Sequence, residues 1–155
     1  MQTEEILHVL QNSKFFRNLA EKNLRKIASL CREESFEAGE WVFKQGDYGE
    51  HLYIIVQGHI HLERAMTMGD REGHVIIDTL GKGRTLGCWS ALLGEPHVLM
   101  SGAVCEKPSL LLKIRGDALR KMMKERIDFG FDIMERLCFL LRDRIQAAYG
   151  AMDRF

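Results

Sequence analysis

The sequence lacks a long hydrophobic run, since no apolar segment approaches the ~18 residues that a membrane-spanning helix needs. It also lacks the pattern of a signal peptide, because residues 1–15 mix Glu, His, Gln and Lys among the apolar positions. The charges balance, with 22 Lys and Arg against 22 Asp and Glu, which argues against a dedicated nucleic-acid-binding protein. We therefore expect a soluble, cytoplasmic protein without direct membrane or nucleic-acid binding.

Closely spaced cysteine pairs are also missing. The four cysteines form no CxxC motif, which disfavours a zinc site and a disulfide framework, and we expect reduced, mostly buried thiols. No nucleophile–base pair and no metal-ligand spacing stands out, so the sequence does not predict an enzyme. With no internal repeat and no flexible linker, residues 1–155 are predicted to form a single domain.

The N-terminal part of the chain, residues 1–32, is predicted to be helical. Residues 3–31 carry apolar side chains at helical spacings of three and four. They form two stripes, and Asn18 is predicted to cap the helix that carries the second stripe, with Glu21 closing a capping box.

Residues 33–115 predict β-structure instead. Short segments rich in β-branched and aromatic residues alternate there with glycine turns, at 35–36, 41–43, 52–56, 59–63, 75–80, 98–104 and 110–114. Residues 59–62 are predicted to pair with residues 75–77 across a loop at 65–73. Many short strands at regular spacing are typical of a β-sandwich or a jelly-roll barrel.

Residues 116–155 predict two helices. Asp117 is a candidate cap of the first, and the second begins near Asp128. A heptad-like stripe on the second helix consists of Met134, Leu137, Cys138, Leu141, Ile145, Ala148 and Met152. The stripe has two interpretations: the helix packs back on the barrel, or residues 128–155 form the seam of a homodimer. Since the sequence ends at Phe155, we expect no helix-turn-helix.

Residues 80–104 are the most informative segment. They predict a strand, a glycine turn, a short helix over Trp89–Leu93, a Gly-Glu-Pro loop and a second strand. A helix that opens after a glycine presents free N–H groups and the positive end of its dipole, which suits an anion. No Arg or Lys occurs between Thr85 and Lys107, so this segment offers a bound phosphate no permanent cation.

Three further motifs, in order along the chain, resemble the cyclic-nucleotide-binding domain family. They are an F-x-x-L opening at Phe15–Leu19, a glycine pattern at Phe36–Asp47 and a hairpin pattern at Tyr53–Ile60. The resemblance is to the sensory domain of catabolite activator protein, as a stand-alone module. It implies an α+β fold, in which an antiparallel β-barrel or jelly roll (a double-stranded β-helix) is flanked by N-terminal helices and two C-terminal helices.

The resemblance also implies a ligand site. The phosphate cassette of the family reads G-E-x-(A/G)-L, a variable loop and R-(S/T)-A, whose Glu contacts the ribose and whose Arg contacts the cyclic phosphate. Here Gly87 matches the glycine, Cys88 stands at the Glu position, and no Arg follows Pro96. The implied contacts to cyclic AMP, cyclic GMP or another small molecule are Gly87, Cys88, Trp89, Ser90, Ala91, Leu92, His97, Val98 and Leu99.

Several of these residues have a second interpretation. Trp89 is either a stacking platform for a planar ligand or part of the core. His97 is either a phosphate partner or a solvated loop residue, and Cys88 is either a reactive sensor thiol or an inert one. Cys88, His97 and Met100 are also of the types that bind haem.

We expect a small-molecule-sensing regulatory domain, in which ligand binding repositions residues 128–155 and output passes through a partner chain or a dimer. Two alternatives remain at this point. One is a ligand-free scaffold that dimerises or docks partners through its C-terminal helix, and the other is the sensory half of a transcription regulator.

Overall fold

The computed structural model describes residues 1–95 and 97–154, and within them the chain forms five helices and eight strands. The helices are α1 (Thr3–Asn12), α2 (Glu21–Leu30), α3 (Cys88–Leu92), α4 (Gly116–Glu125) and α5 (Ile127–Asp153). The strands are β1 (Arg32–Phe36), β2 (Trp41–Phe43), β3 (His51–Gln57), β4 (Ile60–Met68), β5 (Arg71–Leu80), β6 (Thr85–Leu86), β7 (Gly102–Cys105) and β8 (Ser109–Arg115).

The strands form two four-stranded antiparallel sheets. The first has the order β1-β8-β3-β6 and the second the order β2-β7-β4-β5. Apart from the β4–β5 hairpin, neighbours within each sheet are not consecutive in the chain, as in a jelly roll. The predicted class is therefore confirmed: an α+β fold with an antiparallel jelly roll between N-terminal and C-terminal helices.

The two inner strands of the first sheet, β3 and β8, are buried on both faces, which explains their continuous apolar runs. Leu52 and Ile54 of β3 pack with the helices, whereas Ile55 packs in the core between the two sheets. In β8, Leu112 and Ile114 face the helices and Leu111 faces the second sheet. The chain thus has one core between the two sheets and a larger one between the first sheet and the helices, which we call the helical core.

The predicted N-terminal helices are present as α1 and α2, but the predicted start of the second is wrong. The buried side chain of Ser13 ends α1, because its hydroxyl donates to the Leu10 carbonyl and accepts from the Phe16 N–H. Asn18 is not a cap; it adopts a left-handed conformation with φ of 68°, and the N-cap position of α2 is Ala20. The intervening segment serves to bury aromatic side chains in the helical core.

The β4–β5 hairpin is longer than predicted. The expected loop at 65–73 contracts to a turn at Gly69 and Asp70, and Ala65–Met68 pair with Arg71–His74. The pairing of β4 with β5 is confirmed, but its register differs, because Leu62 lies opposite Asp78. Backbone pairing carries the hairpin beyond the buried residues, so hydrophobic alternation alone underestimates its length.

Three smaller expectations also fail. The strand predicted at 98–104 is reduced to β7, with only an isolated bridge between Val98 and Tyr48 before it. The prediction omits β6, whose two residues are too few to give a pattern. Asp117 lies in the first turn of α4 and pairs with Arg115, the N-cap residue, at 2.7 Å instead of capping the helix itself.

No helix in the described part of the chain is long and apolar enough to cross a membrane.

Candidate functional site

The segment that connects β6 to α3 turns at Gly87. This residue has φ of 77° and occupies the N-cap position of α3. A Cβ atom there would lie 2.8 Å from the carbonyl oxygen of His51 in β3. The position therefore requires glycine for two reasons, a left-handed backbone and a close backbone approach. The short helix was predicted one residue too late, at Trp89–Leu93.

The end of α3 is anchored in the helical core. Ala91 and Leu92 are buried there, and the guanidinium of Arg120 in α4 donates to the Leu92 carbonyl at 2.6 Å. A Cβ atom on Gly116, the first residue of α4, would lie 2.2 Å from the Ala91 carbonyl oxygen. These contacts make α3 and α4 one packed unit.

A cavity of about 490 Å³ lies beside this turn, between the second sheet, the Gly87 segment and α5. This volume is within the ~300–1,000 Å³ range of small-molecule sites. Its described wall is mostly apolar and consists of Phe43, Leu62, Arg64, Ile77, Leu86, Gly87, Trp89, Leu99, Met100, Ser101, Leu140, Leu141, Arg144, Ile145 and Ala148.

Three of the predicted site residues line this cavity: Gly87, Trp89 and Leu99. Trp89 also packs against the helical core, so it has features of both interpretations. Ala91 and Leu92 belong to the core instead. The side chains of Cys88 and Ser90 lie outside the described part of the structure, as do Pro96 and Phe155.

His97 and Val98 are not part of the described cavity wall. The ring of His97 is 37% exposed and its Nε2 lies 3.7 Å from a carboxylate oxygen of Glu95. Val98 is 48% exposed. The chain reaches the cavity at Leu99, Met100 and Ser101 instead, later than the resemblance implied. Of the three residues considered for haem, Met100 is the one whose described side chain lines the cavity.

Sequence analysis missed the two arginines of the cavity wall. Arg64 comes from β4, and its guanidinium donates to the Met100 carbonyl. Arg144 comes from α5; it donates to the Thr85 carbonyl and lies 3.8 Å from a carboxylate oxygen of Asp78. The two cations of the described cavity wall thus come from elements that are distant in sequence from residues 86–106.

The apolar stripe on α5 is the sequence feature that indicates the α5 side of the cavity wall. Leu141, Ile145 and Ala148, which belong to the stripe, line the cavity. Leu141 and Ala148 are partly buried there, as the interpretation of a helix packed on the barrel predicts, whereas Ile145 is 52% exposed.

The remaining candidate chemistry lies away from the cavity. Burial raises the pKa of the Cys31 thiol to about 12, and burial also raises the pKa of the Cys105 thiol. His59 and His61 lie near Glu106, but no group of three or more potential metal ligands occurs among the described residues. The cavity is therefore the best candidate for a functional site in the described chain.

Comparison with known proteins adds three findings. The family model "Cyclic nucleotide-binding domain" matches residues 33–126. The chain is 25% identical over 144 residues to the cGMP-dependent protein kinase egl-4 of Caenorhabditis briggsae, which covers 90% of this chain and 18% of the kinase. The chain therefore spans less than a fifth of this relative's length.

Two solved structures illustrate the shared fold. A cyclic nucleotide-binding domain from Methylobacillus flagellatus has a TM-score of 0.75 at 23% identity, covering 96% of this chain and 80% of that one. A mutant regulatory subunit of a cAMP-independent protein kinase A from Trypanosoma brucei, bound to cAMP in its A site, has a TM-score of 0.74 at 21% identity. The latter match covers 98% of this chain and 51% of that one.

Proposed function

The chain belongs to the cyclic nucleotide-binding domain family, and on this premise we propose that it is a ligand-sensing regulatory domain whose effector binds in the 490 Å³ cavity. One observation carries the proposal. The cavity wall joins the Gly87 turn to α5, so a single bound molecule contacts both the rigid jelly roll and the terminal helix. We propose no catalytic activity for the domain.

The two halves of α5 have different surroundings, so an effector in the cavity contacts the second half and not the first. In the first half, Phe129, Ile133 and Leu137 are buried in the helical core. In the second half, Leu140, Leu141, Ile145 and Ala148 form a wall of the cavity. An effector that fills the cavity stabilises the docked position of the second half, which shifts the equilibrium between docked and undocked helix.

Cyclic AMP and cyclic GMP are the first effectors to test. The cassette of this chain has Cys88 at the position of the family's Glu and no Arg at residues 86–106. A hydrogen bond to a charged group contributes about 1.5–3 kcal/mol, so losing two such contacts weakens binding roughly 10²–10⁴-fold. We therefore expect a cyclic nucleotide to bind more weakly here than in a domain with the complete cassette.

Calorimetric titration with both nucleotides at pH 6 and pH 8 tests the proposal. Ala148 lines the cavity, and Ala148→Leu fills part of it with three additional carbon atoms. Ala147→Leu adds the same atoms on the same helix at a position outside the described cavity wall. We expect saturable binding by the wild type and by Ala147→Leu, and binding at least about tenfold weaker by Ala148→Leu because the cavity is smaller.

The same titration tests the predicted role of His97. Because His97 lies outside the described cavity wall, we expect His97→Ala to leave the affinity unchanged at both pH values. No heat at millimolar nucleotide would refute the cyclic-nucleotide effector. Binding that Ala148→Leu leaves intact would refute the location in this cavity.

A second candidate function, a dimerising scaffold, is favoured by the outer face of α5. Phe131, Ile145 and Met152 are 69%, 52% and 59% exposed, and Cys138 is exposed as well; Ile145 also borders the cavity. These four residues recur every seven positions, the spacing at which a helix pairs with a parallel copy of itself. We propose that a second copy of this chain covers this face, and that the dimer transmits the response of α5.

A further inference from the structure

The charge of the cavity wall is of one sign. Among its fifteen described residues, Arg64 and Arg144 are charged and none is a carboxylate. Ser101 is the one other wall residue with a polar side chain, and the rest are apolar, aromatic or glycine. Arg64 is itself exposed, so its attraction for an anion is screened by water until the apolar body of a ligand displaces water from the cavity.

The two arginines differ in their partners. Arg144 has a protein carboxylate, that of Asp78, at 3.8 Å, and its side chain is only 13% exposed. Arg64 forms no ion pair within 4.0 Å in the part of the chain that the structure describes. Of the two arginines in the described wall, Arg64 is therefore the one at which a ligand anion does not compete with a protein carboxylate.

The position of the Arg64 guanidinium is defined by the backbone. It donates to the Met100 carbonyl, which holds it beside the residues that form the wall at Leu99–Ser101. A guanidinium has five N–H groups in a planar fork, so this bond leaves further donors for a second acceptor. Carboxylate, phosphate and sulfonate groups match this fork and accept two of its hydrogen bonds at once.

We propose that Arg64 binds the anionic group of the effector, and that the effector is an organic anion whose apolar or aromatic body fills the remaining cavity. This inference rests on the proposed function, because it places a ligand in the same cavity. The apolar body lies against Phe43, Trp89 and the α5 wall, and the anionic group lies at the Arg64–Ser101 edge.

Two fluorescent probes that differ in one anionic group test this inference without knowledge of the natural ligand. They are 8-anilinonaphthalene-1-sulfonate and N-phenyl-1-naphthylamine, which shares the aromatic body but lacks the sulfonate. Both are titrated into the wild type, Arg64→Gln, Arg64→Lys, Arg71→Gln and Ala148→Leu. Arg71 is the matched control, since it lies on the same hairpin, at the start of β5, and outside the described cavity wall.

We expect Arg64→Gln to weaken the sulfonate probe about 10- to 100-fold and to change the neutral probe less than about twofold. Arg64→Lys retains the charge without the fork and is expected to give an intermediate loss. Arg71→Gln is expected to change neither affinity. Ala148→Leu is expected to weaken both probes, because it reduces the space for the shared aromatic body.

Different results refute the role of Arg64 and the location of the ligand in this cavity. If Ala148→Leu weakens both probes but Arg64→Gln affects them equally or not at all, the role of Arg64 is refuted and the cavity stands. If Ala148→Leu affects neither probe, the cavity is refuted as the binding site, and the role of Arg64 is refuted with it. Thermal unfolding followed by circular dichroism verifies that each variant is folded.

Discussion

Some residues of the site are positioned by their neighbours in sequence, and others are positioned by contacts with distant parts of the chain. Gly87 could be predicted, because a glycine between a strand and a short helix is a local signal of a left-handed turn. Arg64 could not, since its partner Met100 is 36 residues away and only the β4–β7 pairing brings the two together. Likewise, Arg144 reaches the Thr85 carbonyl across 59 residues, through the packing of α5.

At this scale, we predict that Gly87→Ala destabilises the protein more than Gly39→Ala. Both glycines have positive φ, 77° and 85°, so both substitutions incur the strain of a left-handed alanine, about 1–2 kcal/mol. Only at Gly87 does the new Cβ meet backbone, the His51 carbonyl oxygen at 2.8 Å, whereas nothing lies within 4 Å at Gly39. Urea unfolding should show at least about 1 kcal/mol of additional loss for Gly87→Ala. Equal losses would refute the close contact.

The elements were predictable where a local pattern reflects burial. The apolar runs of β3 and β8 and the amphipathic α2 and α4 were found because one side or both sides of them are buried. Boundaries failed where a tertiary or backbone contact decides them. Ser13 ends α1 through its own hydrogen bonds, and the polar end of the β4–β5 hairpin is held by backbone pairing.

The contact between α3 and α4 leads to a prediction at the scale of elements. In Gly116→Ala the new Cβ would lie 2.2 Å from the Ala91 carbonyl oxygen, so α3 and α4 must separate, at a cost of about 1–3 kcal/mol. Gly150→Ala in α5 is the control with the opposite sign, because nothing lies within 4 Å and alanine favours the helix by ~0.8–1 kcal/mol. Unfolding midpoints should move in opposite directions. A Gly116→Ala variant as stable as the wild type would contradict the packed α3–α4 unit.

For the whole molecule, α5 contributes to the core between the first sheet and the helices, to the cavity wall and to the outer surface. On α5, the guanidinium of Arg136 donates to the Phe15 carbonyl at 2.8 Å, and the carboxylate of Asp143 lies 3.2 Å from the ammonium of Lys14. These contacts hold the helix against the N-terminal segment, while its later residues cover the cavity. The spacing of the heptad-like stripe does not separate these surroundings, because the stripe contains the cavity residues Leu141 and Ala148 as well as the exposed residues Cys138 and Met152.

The exposed face of α5 predicts a concentration-dependent dimer. A 27-residue helix is about 40 Å long, enough for a paired seam of several turns. The double variant Phe131→Glu/Met152→Glu places charges on the seven-residue row and should sediment as a monomer where the wild type dimerises. Phe139→Glu is the matched control, since Phe139 is also exposed on α5 but lies outside that row. A wild type that stays monomeric at all concentrations would refute the dimer.

The central claim is that the effector binds in the cavity beside Gly87 and under α5. The most direct measurement uses the two tryptophans of the chain, whose indole N–H groups give separate signals in a ¹⁵N-correlated NMR spectrum. Trp89 lines the cavity, whereas Trp41 lies on β2 outside its described wall and is assigned with a Trp41→Phe variant. On titration with cyclic AMP and cyclic GMP, the claim predicts a saturable shift of the Trp89 signal that exceeds any shift of Trp41. Saturable binding that leaves the Trp89 signal in place, or moves that of Trp41 alone, would contradict it.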